Sequence, residues 1–389
     1  MIEVTNEVGH RSRFVGTDSS DSRIVIPGLY LCACTRVVIR SAAGRTHVVH
    51  WYGVVPRRRY VDQMTEPSAG TPAEPIDRAL RHAPNPAIDA TRATAIARKL
   101  RDLLAPALFG IDGTDDRPPL DVVDIGANPI DGDPPYRLLM DAGLCRVTGF
   151  EPQLEALAEL RRKAGPHERY LPYAVGDGGR HTLHLTATSG FASLLEPDER
   201  QLDLLIDFPR LARVTDRVSV DTRRLDAIEE IGQIDLLKID IQGGELSVLR
   251  EGRRKLANAL AVQTEVGFHR LYRDQPTFAD VDLELRGQGF VPHQFVTTRT
   301  WPLAPVVWAD PLQQASRQLV EADVLYVQDP VRLGELDHAA LARLALVADA
   351  GYGSFGLALR CVLELVSREV LDSSADAGYR ALAAARLPG

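Results

Sequence analysis

The chain has 389 residues, a formal net charge of −8 and a hydrophobic share of 45%. An acidic balance argues against a broad basic face, so we expect no nucleic-acid partner. No apolar run approaches the ~20 residues that cross a bilayer, so we expect no membrane span. The first residues lack the charged and apolar regions of a signal peptide, which predicts a cytoplasmic protein. The cysteines are too scattered for a disulfide framework and predict reduced thiols at Cys32, Cys34, Cys145 and Cys361.

Residues 1–64 predict a small β-rich appendage. Residues 1 to about 20 are polar, and we expect them to be loose. Residues 37–40 and 46–52 are rich in β-branched side chains and are separated by a short glycine-containing turn, which predicts a hairpin. Three roles stay open for the appendage: an oligomer contact, a substrate lid and an inert extension.

Residues 65–118 predict a linker followed by a helix that leads into the main domain. Prolines recur through residues 65–86 and interrupt any regular element. Apolar residues then return at helical spacing over residues 88–108, which predicts a helix packed against a sheet.

The stretch that follows carries the first functional signal. Residues 120–125 are mostly apolar and β-branched, which is typical of a central strand in a parallel sheet covered on both faces. Gly126 lets the backbone turn tightly beside a ligand, and a helix is predicted after Pro134 and Pro135. Strand, glycine turn and helix together predict a nucleotide-type crevice at the carboxyl end of the sheet.

The glycine pattern indicates which kind of nucleotide the crevice would take. Only Gly126 stands at the turn, so the G-x-G-x-x-G spacing of dinucleotide sites is missing, which disfavours an NAD(P)-dependent oxidoreductase. The carboxylate of Asp124 would repel phosphate and attract a cation. S-adenosylmethionine, which carries a sulfonium, an ammonium and a ribose, fits better. The alternative is that Gly126 merely ends a strand in another α/β protein.

A second strand over residues 146–150 also ends on an acid, Glu151. A carboxylate at the tip of the second strand can accept two hydrogen bonds from a ribose diol. We therefore predict that Glu151 anchors the cofactor. Residues 170–177 predict a third strand that ends in Gly176 and Asp177.

Two later strands place polar side chains where burial is expected. Lys238 and Asp240 share one face of the strand that begins near residue 234, and Gln263 and Glu265 share one face of the next. Charged groups inside a covered strand are costly unless they are paired or used. If the strands are neighbours, the four side chains form one polar group that opens toward the crevice. The alternative is an ion-pair network buried below the site.

The carboxyl-terminal part predicts two more strands, over residues 288–295 and 323–328. Three helices are then predicted at about 335–349, 354–371 and 375–386, within an extension over residues 331–389. The middle helix is apolar enough to pack on the core or on a second subunit, which leaves a homodimer open.

With these residues described, the chain resembles the FkbM-type methyltransferases, which depend on S-adenosylmethionine and usually methylate oxygen. The resemblance covers about residues 119–330. It implies a class I methyltransferase fold, a Rossmann-like α/β domain with a seven-stranded, mostly parallel sheet. The matching strings are Val123-Asp124-Ile125-Gly126-Ala127-Asn128, Phe150-Glu151-Pro152, Ala174-Val175-Gly176-Asp177 and Leu237-Lys238-Ile239-Asp240-Ile241-Gln242-Gly243-Gly244-Glu245.

The resemblance also implies a cofactor site and a class of acceptor. The acceptors would be hydroxyls of sugars or secondary metabolites. One departure is Asn128-Pro129-Ile130, where the family usually has Asn-Ile-Gly, and it predicts a reshaped loop over the methionine end of the cofactor. The implied cofactor-binding residues are Asp124, Gly126, Ala127, Asn128, Glu151, Pro152, Val175, Gly176, Asp177 and Asp240.

Methyl transfer to a hydroxyl requires alignment of the acceptor oxygen and a group that takes or acidifies its proton. Asp240 and Glu265 are the leading catalytic candidates because each ends a strand, and His269 is next because it follows the same strand as Glu265. A Mg²⁺ ion on Asp240 and Glu265 stays open, since two carboxylates do not identify a metal. The rival hypothesis is a non-catalytic binding or scaffold protein that keeps the fold, which the altered turn at Pro129 favours.

Overall fold

The structure is a computed structural model, and it divides the chain into two compact units, Met1–Arg78 and Ala79–Gly389. The boundary falls within the segment predicted as a linker. The predicted division at residues 64, 118 and 330 stays a prediction. The residues that the structure describes are strands Ile2–Thr5, Arg11–Phe14, Thr35–Arg40 and Thr46–Trp51, and residues 89–110, 118–128, 132–307 and 317–387.

The described part of the first unit consists of two antiparallel strand pairs. Strand β1 (Ile2–Thr5) pairs with β2 (Arg11–Phe14), and β3 (Thr35–Arg40) pairs with β4 (Thr46–Trp51). The second pair confirms the predicted hairpin. The first pair shows that the expectation of a loose segment over residues 1–20 was wrong, because Ile2 and Val4 alternate with polar residues at the period of a strand.

The second unit is built on a large central sheet. In chain order, strands β5 to β14 are Leu120–Ile125, Cys145–Phe150, Glu168–Leu171, Ala174–Val175, Arg180–Thr186, Val214–Arg223, Leu236–Ile239, Ala261–Gly267, Phe290–Trp301 and Gln318–Gln328. Seven of these described strands form one sheet in the order β13-β14-β12-β11-β5-β6-β7. The neighbouring strands β12, β11, β5, β6 and β7 pair in parallel, and β14 is antiparallel to both β12 and β13. The predicted seven-stranded, mostly parallel sheet is confirmed.

The third strand is shorter than the sequence predicted. A single strand over residues 170–177 was expected, but the chain leaves the large sheet after Leu171. It then joins a second, smaller sheet as β8. That second sheet has the order β8-β10-β9. Pro172 explains the break, since it has no N–H to continue a ladder of hydrogen bonds.

Helices cover both faces of the large sheet. In chain order, helices α1 to α11 are Ala90–Phe109, Arg137–Asp141, Leu154–Lys163, Glu199–Leu202, Phe208–Leu211, Glu245–Arg250, Arg253–Leu256, Phe278–Gly287, His338–Leu346, Phe355–Ser367 and Ser374–Ala384. On one face, α1 and the last three helices pack with β5 in one apolar core. On the other face, α6, α7 and α8 pack with β5 and β11. Of the two roles left open for the predicted middle helix, the structure shows packing on the core.

The last two strands are longer than predicted. Strand β13 reaches Trp301 and β14 begins at Gln318, so the connection between them covers residues 302–317. Within the described ranges, no helix combines the length and the apolar character needed to cross a membrane.

Candidate active site

The carboxyl ends of β5 and β11 meet backbone to backbone. Gly126, directly after β5, has a φ of +81°, and a Cβ there would lie 1.9 Å from the carbonyl oxygen of Asp240. The amide of Asp240 donates to the carbonyl oxygen of Ile125 at 3.0 Å. Only glycine fits this approach, so the predicted turn sets Asp240 beside the end of the first strand.

Asp124 lies at the base of this crevice and is almost fully buried. Its Oδ2 accepts a hydrogen bond from the Tyr136 hydroxyl at 2.5 Å, and its Oδ1 accepts one from Lys238 Nζ at 3.2 Å. Burial raises the pKa of Asp124, and Lys238 and Tyr136 oppose that rise. Lys238 is therefore the cation that Asp124 holds, a pairing that the sequence analysis did not predict. A direct contact of Asp124 with the cofactor stays a prediction.

Glu151 stands at the end of β6 and is 3% exposed. Its Oε1 accepts a hydrogen bond from the amide of Gln153 at 2.7 Å, while Oε2 has no hydrogen bond to the described residues. Burial raises the pKa of Glu151, the hydrogen bond from Gln153 opposes the rise, and the charge of Asp124 adds to it. One oxygen is thus fixed by the backbone and the other can accept a hydroxyl, which fits a ribose.

Asp240 and Glu265 are joined by a residue that the sequence interpretation did not single out. Gln242 Nε2 lies 3.0 Å from Asp240 Oδ1 and 3.2 Å from each carboxylate oxygen of Glu265. Of the four side chains predicted to form one polar group, Asp240 and Glu265 are joined in this way. The other two have different partners, since Lys238 pairs with Asp124 and Gln263 Oε1 accepts a hydrogen bond from the Tyr352 hydroxyl at 2.9 Å. A signal was present in the sequence, because Gln242 stands two residues after Asp240 inside the matched string.

Glu265 also belongs to a charge cluster with two residues from β13 and β14. Arg299 Nη1 lies 3.2 Å from Glu265 Oε2 and 2.8 Å from Glu321 Oε1. Burial raises the pKa of Glu265 well above its ordinary value, Glu321 and Asp240 add to the rise, and Arg299 opposes it. A raised pKa makes the carboxylate form of Glu265 a stronger proton acceptor. No sequence signal linked Arg299 to this site, since its strand is distant along the chain.

A third buried acid fixes the loop between β11 and α6. Glu245 Oε1 accepts hydrogen bonds from the amides of Ile241 and Gly243 at 3.0 and 3.1 Å. Burial raises the pKa of Glu245 to about 7. The loop that carries Gln242 is therefore held by this carboxyl group.

The residues that the resemblance added to the cofactor site lie in two places. The amide of Ala127 donates to Phe150 O at 3.1 Å, and Asn128 and Pro152 are half-buried beside these strand ends. Val175 is buried in the core with α6 and α8, and the amide of Gly176 donates to Arg223 O at 2.9 Å.

Asp177 faces its own turn. Its Oδ1 accepts hydrogen bonds from the amide of Gly179 at 2.7 Å and from Thr222 Oγ1 at 3.3 Å, and it lies 2.8 Å from His181 Nε2. Its contacts among the described residues thus serve the turn before β9. The departure in the family motif, at Pro129 and Ile130, lies outside the described residues.

His269 is half-buried, and its Nε2 lies 3.3 Å from the carbonyl oxygen of Gln201. Gln201 belongs to α4, so the histidine contacts that helix. No hydrogen bond within the described ranges joins His269 to Asp240 or Glu265. In those same ranges, no cluster of three or more histidine, cysteine, aspartate or glutamate side chains is arranged to hold a metal ion.

Comparison with known proteins assigns the family. Residues 124–292 match the family model described as the Methyltransferase FkbM domain. The 2-O-methyltransferase NoeI of Sinorhizobium fredii (strain NBRC 101917 / NGR234) is 33% identical over 171 residues, which cover 42% of this chain and 70% of that protein. The chain belongs to the FkbM methyltransferase family.

Two solved methyltransferases are similar to this FkbM methyltransferase at a lower level. Magnesium protoporphyrin IX methyltransferase (ChlM) from Synechocystis PCC 6803, solved with bound SAM, gives a TM-score of 0.30 at 13% identity and covers 66% of this chain and 91% of its own. Methyltransferase FkbM from Methylobacillus flagellatus KT gives a TM-score of 0.28 at 16% identity and covers 58% of this chain and 47% of its own. Both TM-scores are low, and the family assignment rests on the sequence matches.

Proposed function

We propose that this FkbM-family protein is an S-adenosylmethionine-dependent O-methyltransferase whose acceptor is a hydroxyl of a sugar or secondary metabolite. The observation that carries the proposal is Glu151, a buried carboxylate at the end of β6 with one oxygen held by Gln153 and the other without a described partner. A ribose hydroxyl is a suitable donor to such an oxygen. The relative named as a 2-O-methyltransferase supports methylation at oxygen.

When bound, S-adenosylmethionine supplies a methyl group attached to a positively charged sulfur. Glu151 would hold its ribose, and the turn at Gly126, whose missing Cβ lets the ends of β5 and β11 meet, would border the site. Asp240, beside that turn, would contact both the cofactor and an acceptor. The ion pair of Asp124 and Lys238 would form the base of the crevice.

An acceptor hydroxyl must lose its proton during transfer, and a positioned carboxylate can take it. Glu265 is the leading candidate because burial raises its pKa and Arg299 limits that rise. Asp240 would position the acceptor, since Gln242 links it to Glu265. His269 is the third candidate, and its ring would have to leave the carbonyl oxygen of Gln201 to act.

The cofactor assignment is tested by calorimetry with S-adenosylmethionine, S-adenosylhomocysteine and NADH. We expect the first two to bind and NADH not to bind. Glu151→Gln should weaken S-adenosylmethionine about 10- to 100-fold, because it removes a hydrogen bond to a charged group. Glu155→Gln, at an exposed position on the first turn of α3, is the matched control and should bind as the wild type does.

Unchanged affinity in Glu151→Gln would remove Glu151 from the cofactor site. Acceptor methylation is tested by incubating the protein with labelled S-adenosylmethionine and a small-molecule extract of the source organism. A base-stable, labelled ether is the expected product. A protein that binds the cofactor but labels nothing in that extract would favour the non-catalytic binding protein.

A further inference from the structure

Gln242 has a backbone conformation that is uncommon for its residue type. Its φ is +58°, in the left-handed region, where residues other than glycine, asparagine and aspartate are rarely found. Such a conformation persists only where the surroundings impose it, and it is concentrated at functional sites. Gly243 follows with a φ of +102°, so two consecutive residues turn the chain immediately after Asp240.

This turn aims the side-chain amide of Gln242 at both strand-end acids. One Nε2 atom carries two hydrogens, and it lies 3.0 Å from Asp240 Oδ1 and 3.2 Å from both oxygens of Glu265. One hydrogen can therefore serve each carboxylate. A neutral amide that donates to two acids offsets part of their mutual repulsion.

Two other polar atoms of Gln242 contact residues outside the ends of β11 and β12. Its Oε1 lies 3.3 Å from the Tyr272 hydroxyl, and its carbonyl oxygen accepts a hydrogen bond from Ser193 Oγ at 2.6 Å. The Tyr272 hydroxyl also lies 3.1 Å from Phe191 O. Tyr272 is buried in an apolar cluster with α4 and α5. Gln242 thus connects the end of β11, the end of β12 and the apolar cluster that contains Tyr272.

We propose that Gln242 is a positioning residue that sets the relative placement of Asp240 and Glu265 for methyl transfer. This inference rests on the proposed function, since it concerns the reaction assigned to the same crevice. Gln242 neither takes the proton nor contacts the methyl group. Its amide stabilises the charged forms of both acids, and its fixed backbone determines where they point.

The variant Gln242→Asn separates positioning from a merely structural role. Asparagine adopts left-handed backbone more readily than glutamine, so the turn is expected to form at least as well. Its side chain is one methylene shorter, so the amide cannot reach both acids. We expect roughly wild-type affinity for S-adenosylmethionine by calorimetry and about a 10- to 100-fold lower rate of labelled methyl transfer to the extract.

The pH dependence of the transfer rate gives a readout that a structural role would not change. Without the donated hydrogen bonds the charged form of Glu265 is less stable, so the pKa of Glu265 rises further. The acidic limb of the rate profile should therefore move to higher pH in Gln242→Asn. The control is Gln288→Met, which removes an amide that donates to Leu249 O and Glu284 at the end of α8, and whose rate profile should match the wild type.

A further measurement needs no acceptor. In protein labelled with ¹⁵N at glutamine side chains, the amide signal that disappears in Gln242→Asn belongs to Gln242. We expect that signal to shift with pH as Glu265 titrates, and to shift less when Glu265→Gln is introduced. Two results would overturn the inference and leave the proposed function standing. One is a Gln242→Asn protein with the rate and the acidic limb of the pH profile of the wild type, and the other is a Gln242 amide signal that does not change with pH. A wild type that binds no S-adenosylmethionine would overturn both.

Discussion

At the scale of single residues, Gly126 makes the closest backbone approach described in the crevice. Gly126→Ala would place a methyl group 1.9 Å from the carbonyl oxygen of Asp240 and would strain a φ of +81°. We expect it to lower the free energy of unfolding by about 2 to 4 kcal/mol and to weaken S-adenosylmethionine binding. Urea unfolding and calorimetry measure both effects. The control is Gly190→Ala, since a Cβ at Gly190 meets no atom within 4 Å, and equal losses in the two variants would contradict the expectation.

Single residues also show how far the sequence could predict the site. Glu151 and Asp240 were predictable because each follows an apolar strand, and parallel strands bring their carboxyl ends together. The partners of those acids were not. Gln242 lies in a left-handed turn, and a glutamine does not predict that conformation. Arg299 comes close to Glu265 through the antiparallel pairing of β13 with β14, and the sequence does not determine the register of that pairing.

At the scale of elements, the loop between β11 and α6 predicts a pH effect on stability. Burial raises the pKa of Glu245 from 4.5 to about 7. The protonated acid therefore favours the folded state, and its contribution is fully present below about pH 4.5 and is lost as the pH rises through about 7. Glu245→Gln stays uncharged and keeps an oxygen for the amides of Ile241 and Gly243.

Relative to the wild type, Glu245→Gln should gain on the order of 2 kcal/mol in unfolding free energy between about pH 4.5 and pH 8. Urea unfolding over this range measures the difference. The control Glu251→Gln changes an acid at the other end of α6 that pairs with Arg224 near the surface. A difference between Glu245→Gln and the wild type that is constant with pH would show that Glu245 is not perturbed.

Elements were predictable where their residues had a clear period, and less so where pairing decided them. The first helix, the central strands and the sheet they form were all expected from apolar spacing. The prediction of a single third strand was wrong, because Pro172 interrupts it and its two parts belong to different sheets. The length of β13 was underestimated because Thr297 and Arg299 are polar and break the apolar pattern of a strand. Their hydrogen-bonded pairing with β14 extends the strand beyond that pattern.

At the scale of the whole molecule, the carboxyl-terminal helices are part of the methyltransferase core. Leu365 of α10 is fully buried in the apolar core that also contains residues of α1 and β5, whereas Leu363 of the same helix is 39% exposed. Leu365→Ala should lower the unfolding free energy by about 2 to 5 kcal/mol, and Leu363→Ala should change it much less. Circular dichroism during urea unfolding gives both values. Similar losses would place α10 outside the core.

The ion pairing of Glu265 has a practical meaning for the boundaries of this protein. The family match ends at residue 292, but Arg299 and Glu321, which surround that acid, come from later in the chain. A fragment that ends at residue 292 would keep the carboxylate of Glu265 and lose the guanidinium of Arg299. It would also strip the helices that seal one side of the sheet. Shorter versions made for crystallisation or screening should therefore extend through α11.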